Sequence, residues 1–157
     1  MSALAKEVFE KLQCRGSILV TAESCTGGMI AAAITDLSGS SAIFDRGFVT
    51  YSNDAKMDHL GVQSETLEQF GAVSEQTAIE MANGALQHSK ATIAISVTGI
   101  AGPTGGSDEK PVGLVYIGLA KKEAETIVVQ RHFDGDRASI REQTRDKAFT
   151  MLLESLD

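Results

Sequence analysis

The sequence of 157 residues contains no tryptophan, only two tyrosines and two prolines, and fewer basic than acidic residues. Its 14 lysines and arginines stand against 21 aspartates and glutamates, which gives a formal net charge of −7. A general nucleic-acid-binding protein needs a basic surface, so this charge argues against that class. No apolar run is long enough to span a membrane, and the N-terminus lacks the apolar segment of a signal peptide. We therefore expect a cytoplasmic protein that binds neither nucleic acid nor membranes.

The two cysteines, Cys14 and Cys25, lie eleven positions apart and outside any CxxC or Cys/His cluster. This spacing indicates neither a disulfide framework nor a metal site. The hydrophobic fraction of 43% and the charged fraction of 22% are those of ordinary globular proteins. A chain of this length can bury a sizeable core, and we expect a single domain over residues 1–157.

Apolar periodicity and turn residues predict helices and strands in alternation. The predicted helices cover residues 3–13, 26–37, 64–70, 74–88 and 137–153, with a further helix start at 52–55, and the predicted strands cover 17–22, 47–51, 91–97, 112–120 and 126–132. The last two strands are joined by a short polar segment, which indicates an antiparallel hairpin. We predict an α/β fold class: one three-layer α/β/α domain with a mixed sheet that carries a C-terminal antiparallel hairpin.

The most informative stretch is residues 21–28 (TAESCTGG), which lies between a predicted strand and a predicted helix. A sharp strand-to-helix turn would expose the hydroxyl of Ser24 beside the free backbone N–H groups of the helix start, and these donors could form an oxyanion hole. The same donors could instead bind an anion, and the stretch could also be an ordinary strand–helix connection. Cys25 is a rival nucleophile, although we favour a small buried thiol for it.

A nucleophilic serine needs a base, and none of the three histidines lies next to a glycine-rich loop. Tyr51 and Lys56 are five residues apart across the Asn53–Asp54 turn, so both can face one site. A lysine desolvated in a cleft can lose its proton and act as the base for a serine. The alternative for Lys56 is a solvated surface charge, which is what most lysines are.

Three predicted strands end at residues 23–24, 51–52 and 97–98, and strand ends of this kind should line one cleft. After the third strand comes a glycine-rich loop that includes Thr98, Gly99 and Gly102, whose backbone donors could wrap a phosphate or a carboxamide. Further along, arginines 137, 141 and 145 share one helix face. They form either a solvated basic stripe or, for Arg137, a contact to a phosphate.

Seven motifs, in the same order along the chain, resemble the CinA C-terminal domain family. They are residues 21–28, 39–41, 49–53 together with Lys56, 71–75, 98–103, 110–113 and 135–137. The resemblance covers about residues 5 to 155. The family includes stand-alone nicotinamide-nucleotide amidohydrolases, and the same domain fused behind a larger N-terminal domain in competence/damage-inducible proteins. Because this chain begins directly with the domain, it is similar to the stand-alone form.

The resemblance implies hydrolysis of nicotinamide mononucleotide to nicotinate mononucleotide and ammonia in pyridine nucleotide (NAD) salvage, without a metal or an organic cofactor. It implies catalytic roles for Ser24, Tyr51 and Lys56. The residues for which it implies substrate contacts are Glu23, Thr26, Gly27, Gly28, Ser40, Ser41, Thr98, Gly99, Gly102 and Arg137. The alternative is a non-catalytic nucleotide-binding or regulatory module with the same cleft. We also expect a homo-oligomer, with a dimer favoured, because small α/β enzymes commonly dimerise.

Overall fold

Six α-helices and five strands lie within residues 2–157, the part of the chain that this computed structural model describes. The elements are α1 (Ala3–Arg15), β1 (Leu19–Glu23), α2 (Met29–Thr35), β2 (Phe44–Val49), α3 (Asn53–Leu60), α4 (Ser64–Phe70), α5 (Glu75–Gln87), β3 (Ile93–Gly99), β4 (Leu114–Lys121), β5 (Ile127–His132) and α6 (Arg137–Leu156), with a short 3₁₀ helix (Ser40–Ala42) before β2. No helix in the described part is long and apolar enough to cross a membrane.

The strands form one mixed sheet in the order β2-β1-β3-β4-β5. Strand β1 lies at the centre of the parallel part and pairs with β2 on one side and with β3 on the other. Strands β4 and β5 continue the sheet as an antiparallel hairpin. The predicted three-layer architecture with its C-terminal hairpin is therefore confirmed. The carboxyl ends of β1, β2 and β3 meet at one edge of the sheet, and this edge carries the candidate site.

Two apolar clusters cover the two faces of the sheet. The larger one joins buried residues of α1, α2 and α6 to one face, and Phe149 of α6 is among its fully buried members. The smaller one packs α5 and the end of α3 against the other face, and Val20 and Ala22 of β1 and Met81 of α5 are among its buried members. Side chains of a strand alternate between the two faces, so β1 is covered by helices on both sides and is buried along its whole length.

Capping residues fix where several helices begin and end. The side chains of Ser52, Ser74 and Asp136 accept hydrogen bonds from backbone N–H groups in the first turns of α3, α5 and α6. Caps of this kind are worth about 1 kcal/mol each. Gly16 closes α1 in the left-handed conformation. Gln63 holds the N-cap position of α4, but its side chain makes no capping hydrogen bond.

Two predicted boundaries next to the site also need correction. Helix α2 begins at Met29, not at residue 26, because Gly27 and Gly28 have φ values of +60° and +99°, which a right-handed helix does not allow. Strand β2 covers Phe44–Val49, not residues 47–51, and ends where its partner β1 ends. As a result, Tyr51 lies in the loop between β2 and α3.

Candidate active site

A cavity of about 270 Å³ opens at the carboxyl ends of the parallel strands. The residue that follows β1, Ser24, lies on its wall, and Thr98 and Gly99 from the end of β3 face the same space. Tyr51 and Lys56, which come after β2, complete this part of the lining. The structure therefore brings together the three strand ends that the sequence placed at one cleft, and all three predicted catalytic residues lie there.

Lys56 projects from the first turn of α3 to the hydroxyl of Ser24. Its Nζ lies 3.0 Å from Ser24 Oγ and donates to the carbonyl oxygen of Thr50 at 2.8 Å. Only 1% of the lysine is exposed, so it is not the solvated surface charge that most lysines are. Burial disfavours the charged ammonium and lowers the pKa of Lys56 below its usual range. A lysine in this setting can exist as the neutral amine that a general base must be.

The turn after β1 carries backbone donors beside the Ser24 hydroxyl. The N–H of Ser24 donates to Val97 O at 3.0 Å, and the N–H of Gly27 donates to Ser24 O at 3.0 Å. In contrast, the N–H groups of Cys25 and Thr26 donate to no other residue within residues 2–157. With no acceptor in another residue, these two groups are candidate donors to an oxyanion, which acyl transfer to a serine requires.

Glu23 holds this turn from the interior of the protein and does not line the cavity. Its side chain is fully buried, and Oε1 accepts hydrogen bonds from Thr26 Oγ1 at 2.7 Å and from the N–H of Ile30 at 2.9 Å. Oε2 accepts from the N–H of Ala31 at 3.0 Å. Because the N-cap residue Gly28 has no side chain, Glu23 supplies the acceptor for the first turn of α2. The Glu23 carboxylate and the Thr26 hydroxyl, for which substrate contacts were expected, are thus engaged in contacts that shape the turn, and only the backbone N–H of Thr26 is left for a ligand.

The two glycines of the turn also lie outside the cavity lining, contrary to the expected substrate contacts. A Cβ on Gly27 would lie 3.5 Å from Arg141 Nη2, and a Cβ on Gly28 would lie 3.4 Å from Val49. Arg141, which belongs to α6, donates from Nε to Cys25 O and from Nη2 to Thr26 O, each at 3.0 Å. The sequence indicated only that this arginine shares a helix face with two others, and it gave no sign that the face packs on the turn.

Ser40 and Ser41 are not brought to the cavity. They lie in the short 3₁₀ helix that precedes β2, which places them at the amino end of that strand. The cavity is at the opposite, carboxyl end of the sheet. These serines therefore do not line the cavity of the same chain, as the expected contact with a substrate phosphate there would require.

The opposite wall of the cavity comes from the loop after β3 and from the start of α6. Gly102 accepts a hydrogen bond from Arg137 Nη1 at 2.8 Å, and Arg137 Nη2 donates to Tyr51 Oη at 2.8 Å. Thr98 contributes to the lining, but its hydroxyl donates to Ala72 O at 2.7 Å. The lining also includes residues to which the sequence assigned no individual role: Asn53, Ala72, Val73, Ile100, Ala101 and Thr104, of which all but Thr104 lie within the motifs that carry the family resemblance.

The charge of the cavity is positive. Arg137, whose guanidinium is always charged, lines it, and no aspartate or glutamate is among its lining residues in the described chain. The protein as a whole carries a net charge of −7, so this is a local reversal of sign. Arginine forms paired hydrogen bonds with phosphate and carboxylate groups. The cavity therefore suits a small anionic molecule.

Cys25 is next to Ser24 in sequence but is poorly suited to be the nucleophile. Its side chain is 6% exposed, and burial raises the pKa of the thiol to about 11. The reactive form of a cysteine is the thiolate, so this thiol is almost entirely protonated and inert at neutral pH. The geometry favours Ser24 as the nucleophile of the pair.

The model of the CinA C-terminal domain family matches residues 1–156 of the chain. Nicotinamide-nucleotide amidohydrolase PncC of Escherichia coli (strain K12) is 52% identical over 149 residues, which cover 95% of this chain and 90% of that protein. A putative competence-damage inducible protein of Halothermothrix orenii is 51% identical over 151 residues, but the chain spans only 37% of its length.

Solved structures give the same result. The crystal structure of a competence/damage inducible protein from Agrobacterium tumefaciens matches with a TM-score of 0.93 and 52% identity, over 98% of this chain and 93% of that one. A CinA superfamily protein from Klebsiella pneumoniae matches with a TM-score of 0.94 and 39% identity, over 98% and 95% of the two chains. By sequence and by fold, this chain belongs to the CinA C-terminal domain family.

Proposed function

We propose that the protein is a nicotinamide-nucleotide amidohydrolase that converts nicotinamide mononucleotide and water to nicotinate mononucleotide and ammonia, and that it acts in pyridine nucleotide salvage. The observation that carries this proposal is the 3.0 Å contact between the buried amine of Lys56 and the hydroxyl of Ser24. The name of the E. coli relative supports the choice of reaction. The positive cavity supports an anionic substrate.

The first half of the proposed reaction forms an acyl-enzyme. The neutral amine of Lys56 accepts the proton of the Ser24 hydroxyl while Oγ attacks the carboxamide carbon of the substrate. The carbonyl oxygen becomes an oxyanion and accepts hydrogen bonds from the N–H groups of Cys25 and Thr26. Protonated Lys56 then returns the proton to the amide nitrogen, the C–N bond breaks, and ammonia leaves.

The second half releases the acid. Lys56 takes a proton from water, the resulting hydroxide attacks the ester carbon, and Ser24 leaves with that proton. No proton carrier between Ser24 and Lys56 is needed, because the two side chains are already in contact. We place Tyr51 at the mouth of the cavity, where its hydroxyl, held by Arg137, can donate to the substrate or to the leaving group. Arg137 is our proposed contact to the phosphate.

The test is ammonia release from nicotinamide mononucleotide by the wild type, Ser24→Ala and Lys56→Ala. We expect each variant to lose at least about a thousandfold in kcat, because nucleophile and base act as a unit. Ser41→Ala is the matched control, since this exposed serine lies at the other end of the sheet. Circular dichroism must show that every variant is folded.

Two results would contradict the proposal. A wild type that binds the nucleotide but releases no ammonia would be a nucleotide-binding or regulatory module. A Ser24→Ala variant with wild-type turnover would show that the turn is only a scaffold.

A further inference from the structure

We propose that Arg141 is a positioning residue that sets the orientation of the oxyanion-binding peptide groups from outside the active-site cavity. This inference rests on the proposed function, because it assigns Cys25 and Thr26 N–H groups to the oxyanion. Arg141 is not among the residues that line the cavity, so it acts on catalysis only through the turn that carries Ser24.

The guanidinium of Arg141 forms a two-pronged contact with the turn. Nε donates to Cys25 O and Nη2 donates to Thr26 O, both at 3.0 Å. The guanidinium is planar and rigid, so two parallel hydrogen bonds fix direction as well as distance. A lysine would keep the positive charge, but its single ammonium cannot reproduce the fork.

The planarity of the peptide bond transmits this contact to the oxyanion donors. The carbonyl of Cys25 and the N–H of Thr26 belong to one planar unit and point in opposite directions. When Arg141 fixes the carbonyl, it fixes the direction of the Thr26 N–H. A carbonyl that accepts a charged hydrogen bond also polarises its own peptide group, which makes that N–H a stronger donor.

The turn needs such a restraint because its sequence is conformationally free at this point. Gly27 and Gly28 follow Thr26 with positive φ values, and glycine crosses between backbone regions at little cost. Glu23 holds the Thr26 side chain and the start of α2 from the inside, but it makes no hydrogen bond to the Cys25–Thr26 peptide. Arg141 supplies the restraint on the other side.

Helix α6 provides a rigid base for the arginine. The neighbouring residues Ile140 and Thr144 are buried, and the Thr144 hydroxyl donates to Ile140 O at 2.7 Å. Four residues further along the helix, Arg145 makes its side-chain hydrogen bond to the adjacent Asp146 at 2.8 Å and has no hydrogen bond to the turn. The chain therefore offers a matched control on the same helix.

The experiment compares Arg141→Lys with Arg145→Lys in the full chain. We expect Arg141→Lys to lower kcat for nicotinamide mononucleotide about 10- to 100-fold, somewhat less than the loss of a whole oxyanion donor, with KM within about threefold of the wild type. The acid limb of the pH profile should stay in place, because Lys56 is not touched. Arg145→Lys should match the wild type in all three quantities.

A second measurement needs no turnover. NMR order parameters of the backbone N–H groups of Cys25, Thr26 and Gly27 should fall in Arg141→Lys from the range of rigid backbone, about 0.85, towards that of flexible backbone, below about 0.6. They should not change in Arg145→Lys. In Arg141→Ala, added methylguanidinium should restore part of the lost kcat.

The outcomes separate this inference from the proposed function. An inert wild type refutes the proposed function, and the order parameters then still decide whether Arg141 orders the turn. An active wild type with an Arg141→Lys variant of unchanged kcat, or with unchanged order parameters, overturns the positioning role. A rise in KM without a fall in kcat also overturns it, because that result would place Arg141 in substrate binding.

Discussion

Replacing Gly84 by alanine tests how closely α5 approaches α3, the helix that carries Lys56. A Cβ at Gly84 would lie 1.9 Å from the carbonyl oxygen of Leu60, the last residue of α3, and 2.8 Å from its carbonyl carbon. Both atoms belong to the backbone, so no side-chain rotation relieves the contact. Gly84 itself lies within a regular helix and has no positive φ, so its backbone conformation would accept alanine.

Two opposing effects determine the size of the change. Helix propensity alone would stabilise Gly84→Ala by about 1 kcal/mol. Ordinary contact begins at 3.4 Å, so the helices must separate by 3.4 − 1.9 = 1.5 Å along this contact. Overpacking in a well-packed interior costs about 1–3 kcal/mol, and a rigid backbone partner puts this site at or above the upper end. We expect a net destabilisation of about 2 kcal/mol, which for this chain length lowers the midpoint of thermal unfolding by about 4–8 °C.

The change should also reach the site. Lys56 lies one helical turn before Leu60, and the carbonyl of Lys56 accepts a hydrogen bond from the Val62 N–H just past the helix end. A displaced α3 therefore moves the Lys56 amine relative to Ser24 Oγ, and ammonia release at 25 °C should fall even where the variant is fully folded.

The assay for Gly84→Ala is thermal unfolding followed by circular dichroism, together with ammonia release. Gln87→Ala, an exposed position on the same helix, is the control and should unfold with the wild type. A Gly84→Ala variant that unfolds at or above the wild-type temperature would refute the reasoning, because propensity would then outweigh the clash.

Two further predictions concern ionisation in the cavity. Because burial lowers the pKa of Lys56, kcat/KM should rise with pH along a limb whose midpoint lies below the value of about 10.4 for an exposed lysine. Between the pKa of Lys56 in the folded protein and its pKa in the unfolded chain, the unfolded chain binds one more proton, so the free energy of unfolding of the wild type should rise with pH relative to that of Lys56→Met. Chemical denaturation at several pH values measures this difference in free energy. A difference that does not change with pH would contradict the effect of burial. Cys25→Ala should keep ammonia release within about threefold of the wild type, since the pKa of the thiol is raised to about 11; near-complete loss would make Cys25 the nucleophile.

The meeting of Ser24, Tyr51 and Lys56 could be anticipated because parallel strands end at the same edge of a sheet. The same geometry explains why Ser40 and Ser41, which were expected to contact the substrate, do not line the cavity. They precede β2 and therefore lie at the amino ends of the strands, opposite the cavity. The interior role of Glu23 was missed because sequence spacing does not say on which side of a strand end a side chain turns. Only the structure shows that the Glu23 carboxylate lies in the interior and accepts hydrogen bonds from the first turn of α2.

Arg141 shows a second limit of sequence reasoning. Helical periodicity correctly put three arginines on one face of α6, but periodicity says nothing about what that face contacts. Arg141 contacts Cys25 and Thr26, which lie 116 and 115 positions earlier in the chain. No local sequence pattern predicts a contact between residues this far apart.

The first two turns of α6 carry one arginine that contacts the entrance of the cavity and another that contacts the turn after β1. Arg137 holds Tyr51 at the entrance, and Arg141, one turn and about 6 Å further along the helix axis, holds the peptide groups beside the nucleophile. Both sets of hydrogen bonds therefore depend on where α6 lies, and a variant that shifts this helix is expected to change the entrance and the turn together.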